Sequence, residues 1–432
     1  MVGWFFGRFF APRVALAMST PPTQCLVTHL ESPVDNSLHP AGKVHGVHLG
    51  RPLVVRYDLE KARGLIDREE MASRTGGVWR WRELLPLPWD IQPVTLGEMP
   101  TPILDCPNLG REMGLDFLQI KDESTLPTGS FKSRGMTVAV SMAKWLGLKR
   151  LAAPTAGNAG GALAAYAARA GLEAWVFMPG DTPVVNQREC LLFGAKVFRV
   201  NGLIHECGKL VRENAEQMGW FDFSTLREPY RLEGKKTMGL ELALQGGWKL
   251  PDVILYPTGG GTGLVGMWKA FQELQALGWL RGQALPRLYA CQSDGCSPIC
   301  VAFDRGERHA ETFNPAHTKA SGLRVPAAVG DFMILEAIRQ SGGKALRGEE
   351  TRLLDWMEKA CSLEGISLCP ESGVCLDVLA KLRAAGEVGP ADRVLVWNTG
   401  AAQKYLECLP ANLPTIDQHQ PLGPQLQPFL NS

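Results

Sequence analysis

The sequence predicts an α/β protein built on mainly parallel sheets covered by helices. Two observations carry this. Short β-branched or aromatic runs alternate with longer helical ones over about 300 residues, the pattern of repeated strand–helix–strand units. The glycine-rich and polar segments fall at the carboxyl ends of the expected strands, where ligands bind in such sheets.

The elements follow in chain order. Residues 1–17, MVGWFFGRFFAPRVALA, are apolar but interrupted by Arg8 and Arg13, so they read as an extension rather than a signal peptide or a membrane span. Residues 18–58 are rich in Pro, Gly and His and end in a strand at 51–57. In 79–104, Pro and Gly punctuate short apolar pieces. Strands are predicted at 117–121, 151–154, 174–178, 197–200, 253–256, 288–291 and 394–397. Helices are predicted at 160–169, rich in alanine, and at 264–277, where Leu264, Trp268, Phe271 and Leu274 share one face. The Pro/Gln-rich stretch after Pro410 is a loosely attached tail, 411–432.

The bulk composition narrows the function. The chain has 432 residues, 45% hydrophobic and 21% charged, with a formal net charge of +1. With no long basic or acidic run, neither nucleic acid nor a charged membrane surface is expected as a partner. The 11 cysteines lack the spacing of a disulfide framework, which favours a reducing, cytoplasmic setting. Cys291, Cys296 and Cys300 contain no C-x-x-C pair and are expected to bind no metal.

Four loops carry chemistry. In Pro127-Thr128-Gly129-Ser130-Phe131-Lys132-Ser133-Arg134-Gly135, a lysine stands at a helix start, where the helix dipole disfavours its positive charge. A neutral amine is what Schiff-base chemistry needs, although a solvated surface lysine has the same local signature. In Thr155-Ala156-Gly157-Asn158-Ala159-Gly160-Gly161, backbone N–H groups can hold a carboxylate and the Asn158 amide can donate to an oxyanion; a plain helix cap is the alternative. Gly259-Gly260-Gly261-Thr262-Gly263 follows a strand and precedes an amphipathic helix, the arrangement of a phosphate cradle. Gly261, Gly263 and Gly266 also match G-x-G-x-x-G, so an NAD-dependent oxidoreductase is a remote alternative. The acid expected ~20 positions on comes late, at Gln292-Ser293-Asp294. In Trp397-Asn398-Thr399-Gly400, the hydroxyl can bond a heteroaromatic nitrogen or cap a helix.

Taken together and in this order, these loops resemble the fold-type II pyridoxal-phosphate (PLP) enzymes, the group that contains threonine synthase, threonine dehydratase and the tryptophan synthase β-subunit. Threonine synthase is the nearest pattern: PTGSFKSRGM at 127–136, TAGNAG at 155–160, EPYRLEGKKT at 228–237, PTGGGTG at 257–263 and NTG at 398–400. GRPLVVRYDLE at 50–60 and WRWRELLP at 79–86 also resemble its N-terminal region. The resemblance implies two domains, each with a helix-covered sheet, and PLP in the cleft between them. It assigns Lys132 the Schiff base and proton shuttling, Asn158 a bond to the cofactor's 3′-oxygen, Gly259 to Gly263 with Thr262 its phosphate, and Thr399 its ring nitrogen. Ser130, Thr155, Ala156 and Gly157 would meet the substrate carboxylate, and Arg231 the substrate's phosphate. The implied reaction turns O-phospho-L-homoserine and water into L-threonine and phosphate.

The resemblance also divides the chain into a degenerate zinc-ribbon-like segment (18–58), a large PLP-binding domain (59–134 and 225–410) and a small domain (135–224). Only Cys25, with His29, His39, His45 and His48, remains of a zinc site, and a strand docked on the large domain is expected instead. A homodimer is the implied assembly. Ser133 replaces the usual acid of the lysine motif, Ala159 a hydroxyl, Gly260 an asparagine, and Leu226 a serine that commonly helps bind the substrate phosphate. Each exchange removes a polar contact, so β-elimination or β-replacement on serine, threonine or a phosphorylated analogue is the alternative reaction.

Overall fold

The computed structural model describes residues 24–411 and 413–430; the apolar extension 1–17 lies outside them. The N-terminal segment forms an antiparallel sheet of β1 (Val27–Glu31), β2 (Leu38–Pro40) and β3 (Val54–Tyr57), with β1 in the middle. It docks on the body of the protein as the sequence predicts: Leu30 and Val55 join the main core, and the Tyr57 hydroxyl donates to Glu233 at 2.8 Å.

Next come β4 (Ile103–Asp105) and β5 (Phe117–Asp122), then β6 (Arg150–Pro154), β7 (Glu173–Pro179), β8 (Lys196–Val200) and β9 (Phe221–Asp222). The chain closes with β10 (Val253–Pro257), β11 (Arg287–Ser293), β12 (Ala345–Gly348) and β13 (Arg393–Asn398). They assort into two sheets. One runs β12-β11-β10-β13-β5-β4, parallel except for β4, which lies antiparallel on the edge. The other runs β8-β7-β6-β9 and is parallel throughout.

β10 shows why the larger sheet reads as an unbroken apolar run. Ile254 and Tyr256 face one core while Val253 and Leu255 face a second, so both sides are covered. The first core is shared with helices Lys132–Trp145, Tyr230–Gln245 and Thr262–Leu277; the second includes helix Pro370–Ala384. Each fully buried aliphatic side chain contributes roughly 1.5–3 kcal/mol.

Helix Tyr230–Gln245 is buried along nearly its whole length despite its charges. Its acids and bases find internal partners. Glu241 pairs with Lys121 at 2.6 Å and Arg134 at 2.9 Å, and Arg134 pairs with Glu123 at 2.6 Å. Farther along, Glu233 pairs with Lys236 at 2.9 Å and Lys269 at 2.9 Å, beneath the Tyr57 ring. Two ion pairs join the smaller sheet's half to the rest of the chain. Lys404 meets Glu189 at 2.7 Å in a buried setting, and Arg324 meets Asp181 at 2.7 Å at the surface.

Candidate active site

The loops read from the sequence converge on one cavity of about 600 Å³. Lys132 is the first residue of its helix. The loop before it is pinned to the loop after β13: the Phe131 N–H donates to the Thr399 carbonyl at 3.0 Å, and the Ala401 N–H to the Gly129 carbonyl at 3.0 Å. Those bonds bring Lys132 and Thr399 to the same wall, across a sequence separation that no local pattern reveals. Thr128 and Gly129 both take positive φ to make the turn. Ser133, standing where an acid was expected, closes the same turn by donating to the Pro127 carbonyl.

Lys132 opens onto the cavity only in part, and its ammonium is pulled down to about 8. Desolvation is the main cause and the nearby Arg231 charge adds to it, while Glu371 opposes both. The sequence reading credited the helix dipole; burial is the larger effect. Lys235 approaches Phe131 from the far side, donating to its carbonyl and lying 3.7 Å from its ring centre.

Asn158 opens the helix Asn158–Ala170. Its amide nitrogen donates to the Tyr405 hydroxyl at 3.1 Å, and its buried Oδ1 has no partner. The buried Ser130 hydroxyl is likewise unpartnered. The Thr155 hydroxyl instead accepts from the N–H groups of Gly157 and Gly160, both at 3.2 Å, and so shapes the turn rather than facing the cavity.

The glycine loop divides into two functions. Gly259, Gly260 and Gly261 line the cavity with Thr262, where the helix Thr262–Leu277 begins. A Cβ on Gly259 would lie 2.5 Å from the Gly322 carbonyl, and one on Gly261 would lie 2.2 Å from Ile334 in a backbone with φ +71°. Gly263 is absent from the lining; its Cβ would fall 1.9 Å from the Tyr256 hydroxyl. Gly266 similarly lets helix Tyr230–Gln245 approach, with Lys235 backbone at 2.8 Å. Packing is what the third glycine of a dinucleotide motif does anyway, but Gly263, the one that would have to face a pyrophosphate, packs on Tyr256 away from the cavity, which weakens the dinucleotide match.

Lys132, Asn158, Thr399 and residues 259–262 therefore line the cavity, whereas Ser130, Thr155, Ala156, Gly157, Gly263 and Arg231 do not. Arg231 is engaged elsewhere: its Nε lies 3.0 Å from Glu228 and its Nη2 donates to the Phe223 carbonyl at 2.5 Å. Sequence reasoning missed Arg51, Arg212, Arg227, Glu371 and Tyr405, all on the cavity wall. Glu371 accepts from the Gly322 N–H at 2.8 Å, and burial raises its carboxyl. Arg51 stands in the segment 50–60 already singled out, but the other four sit in no glycine-rich or otherwise distinctive segment, so only the fold reveals them.

A partly enclosed amine of lowered basicity, an amide with an unsatisfied oxygen, a glycine-walled cradle at a helix start and a hydroxyl at Thr399 form a fitting set for a phosphorylated heteroaromatic aldehyde. Comparison with known proteins agrees. Residues 94–400 match the family model described as pyridoxal-phosphate dependent enzyme. The chain is 32% identical to the threonine synthase of Methanocaldococcus jannaschii over 84% of its own length and 89% of the relative's. It is 33% identical to the threonine synthase of Methanosarcina acetivorans over 87% and 90%. The structure of maize serine racemase superposes with a TM-score of 0.61 at 19% identity, covering 77% of this chain and 92% of that one, which supports the fold. The chain belongs to the pyridoxal-phosphate dependent enzymes, in the group of these threonine synthases, and its cofactor is pyridoxal 5′-phosphate.

Proposed function

We propose that this enzyme converts O-phospho-L-homoserine and water into L-threonine and phosphate. The observation that carries the reading is Lys132, held at lowered basicity on the wall of the cavity that the glycine loop, Asn158 and Thr399 also line. The identity to two threonine synthases over most of both chains supports the substrate. When bound, PLP supplies an electron sink for negative charge at the substrate's α-carbon.

The chain's own residues then divide the work. The backbone of Gly259 to Gly261 and the helix start at Thr262 receive the cofactor phosphate, with Gly263 giving the loop room to form. The Lys132 amine anchors the cofactor and afterwards carries protons at Nζ, a task suited to a group titrating near 8. Asn158 would hold the cofactor's 3′-oxygen with its second amide hydrogen, and Thr399 would meet the ring nitrogen with a neutral hydroxyl. Ser130 and the turn of Thr155, Ala156 and Gly157 lie just behind the lining residues Phe131 and Asn158, and the substrate carboxylate would approach this turn, whose shape the Thr155 hydroxyl fixes.

We assign 59–134 and 225–410 to a large domain and 135–224 to a small one, following the separation of the two sheets. A homodimer in the cytoplasm is the setting we infer; all 11 cysteines are free thiols, which suits a reducing compartment. Among the described residues no helix is long and apolar enough to cross a membrane.

The test is product analysis on purified holoenzyme. Phosphate and threonine from O-phospho-L-homoserine support the reading. Keto acid and ammonia from serine or threonine, without phosphate release from the phosphorylated substrate, would replace it with β-elimination.

A further inference from the structure

The ring nitrogen and the 3′-oxygen of PLP flank a single ring carbon, so Thr399 and Asn158 would meet the same edge of the cofactor. Behind that edge the protein holds a set of buried polar side chains. The Asn158 amide donates to the Tyr405 hydroxyl at 3.1 Å, and the Cys369 sulfur lies 3.5 Å from the Thr399 hydroxyl. Glu371 stands between the two pairs: the Tyr405 hydroxyl and the Cys369 thiol both act on its carboxyl.

Glu371 lines the cavity and is 2% exposed. Its Oε1 accepts from the Gly322 N–H at 2.8 Å, while its Oε2 is buried without a partner. The titratable groups facing it are Lys132, the thiols of Cys369, Cys375 and Cys408, and the Tyr405 phenol. Lys132 attracts it without bonding it, and among the described residues Glu371 makes no ion pair. Its place as the second residue of helix Pro370–Ala384 favours the anion. Burial without a paired cation outweighs that and favours the neutral acid.

The hydrogens available then fix a direction. The Ser372 hydroxyl donates to Asn398 Oδ1 at 2.8 Å, so it gives nothing to the Cys369 sulfur 3.3 Å away. A neutral Glu371 offers the hydrogen on Oε2 to that sulfur. The thiol hydrogen passes to the Thr399 oxygen, and the Thr399 hydrogen is left for an unprotonated ring nitrogen. On the other side Tyr405 accepts from Asn158 and donates to Glu371. An ionised Glu371 would reverse the order: the thiol would turn to the carboxylate, Thr399 would turn to the sulfur, and only a protonated ring nitrogen could bond Thr399.

We propose that Glu371 is a positioning residue which, as a neutral acid, directs the hydrogen bonds of Thr399 and Asn158 and keeps the cofactor's ring nitrogen unprotonated. The inference rests on the placement of Thr399 and Asn158 against the cofactor proposed above.

The experiment loads the enzyme with PLP isotopically labelled at the ring nitrogen and reads that nitrogen by solid-state NMR, alongside cofactor titration of the apo form. The variants are Glu371→Gln, Glu371→Leu, Cys369→Ala and Thr399→Ala. Wild type should show an unprotonated, hydrogen-bonded pyridine. Glu371→Gln keeps one acceptor and one donor where the neutral acid has them, so signal and affinity should hold. Glu371→Leu should move the signal toward that of Thr399→Ala and weaken cofactor binding a few-fold through Asn158. Cys369→Ala cuts only the Thr399 branch; it should move the signal with a smaller loss of affinity, and it carries the test where Glu371→Leu does not fold. A protonated nitrogen in wild type, or a changed signal in Glu371→Gln, would overturn the proposal. A signal that moves in Thr399→Ala alone would overturn it too, leaving the placement of Thr399 intact and Glu371 a packing residue. A signal that stays in place even in Thr399→Ala would remove that placement and this proposal together.

Discussion

The Asn158 amide nitrogen donates to the Tyr405 hydroxyl at 3.1 Å, joining the first helical turn after β6 to the segment that follows β13. The bond fixes the plane of the amide and leaves one hydrogen to point at a ligand. On the proposed reading Asn158→Ala removes a cofactor contact, whereas Tyr405→Phe removes only its support. Cofactor affinity, read by titrating apo protein with PLP, should fall about tenfold or more in Asn158→Ala and only a few-fold in Tyr405→Phe. Equal effects would show that Asn158 acts only through Tyr405.

Lys132 makes folding stability depend on pH. Its ammonium titrates near 8 in the fold against an ordinary 10.5, so the fold disfavours the charged form. Below pH 8 both states bind the proton and the whole cost is felt; between 8 and 10.5 only the unfolded chain binds it, and stability rises with pH. Apo Lys132→Met should therefore melt higher than apo wild type at pH 7, with the gap closing toward pH 10.5. Borohydride reduction of the holoenzyme should fix a pyridoxyl group on Lys132 in wild type and leave none in the variant.

The ionic cluster of Arg134, Glu123, Glu241 and Lys121 holds the lysine helix against helix Tyr230–Gln245. Burial alone would raise the Glu241 carboxyl, but Arg134 and Lys121 overcome it and hold it at about 2. This contribution is complete above pH 4.5 and is lost as pH falls toward 2. Glu241→Gln leaves two buried cations short of a partner and should cost about 3–5 kcal/mol in denaturant unfolding at pH 7. The difference from wild type should shrink on acidification.

Gly261→Ala and Gly263→Ala separate cradle from packing. The first forces a Cβ onto Ile334 at positive φ; the second drives one into the Tyr256 hydroxyl. Overpacking costs about 1–3 kcal/mol, and both should lower the melting temperature. Tyr256→Phe should restore part of the stability of Gly263→Ala, because it deletes the colliding oxygen. Gly261→Ala should gain nothing from that exchange.

Much of the fold was legible because its strands are unusually pure. VILYP in β10 and VLVW in β13 are buried on both faces, so no polar alternation blurs them. The strands that escaped notice are short: β1, β2, β4, β9 and β12 span two to five residues and depend on their partners rather than on their own composition. Helix Tyr230–Gln245 was hidden for the opposite reason, since its charges imitate a solvated surface until their buried partners are seen. The cofactor loops were readable because glycine, lysine and asparagine are needed at defined backbone positions. The cationic side chains of the cavity wall were not, because an arginine's surroundings are set by its neighbours: Glu228 engages Arg231, and nothing about Arg227 alone announces that it lines the cavity.

The two ion pairs that link the sheets differ in their surroundings. Asp181 is more than half exposed where it meets Arg324, while Lys404 and Glu189 are largely enclosed. Counter-ions reach the first and hardly touch the second. Raising ionic strength should therefore weaken Arg324–Asp181 and leave Lys404–Glu189 nearly untouched, so the two contacts between the sheets differ in how far the solvent's salt can set their strength.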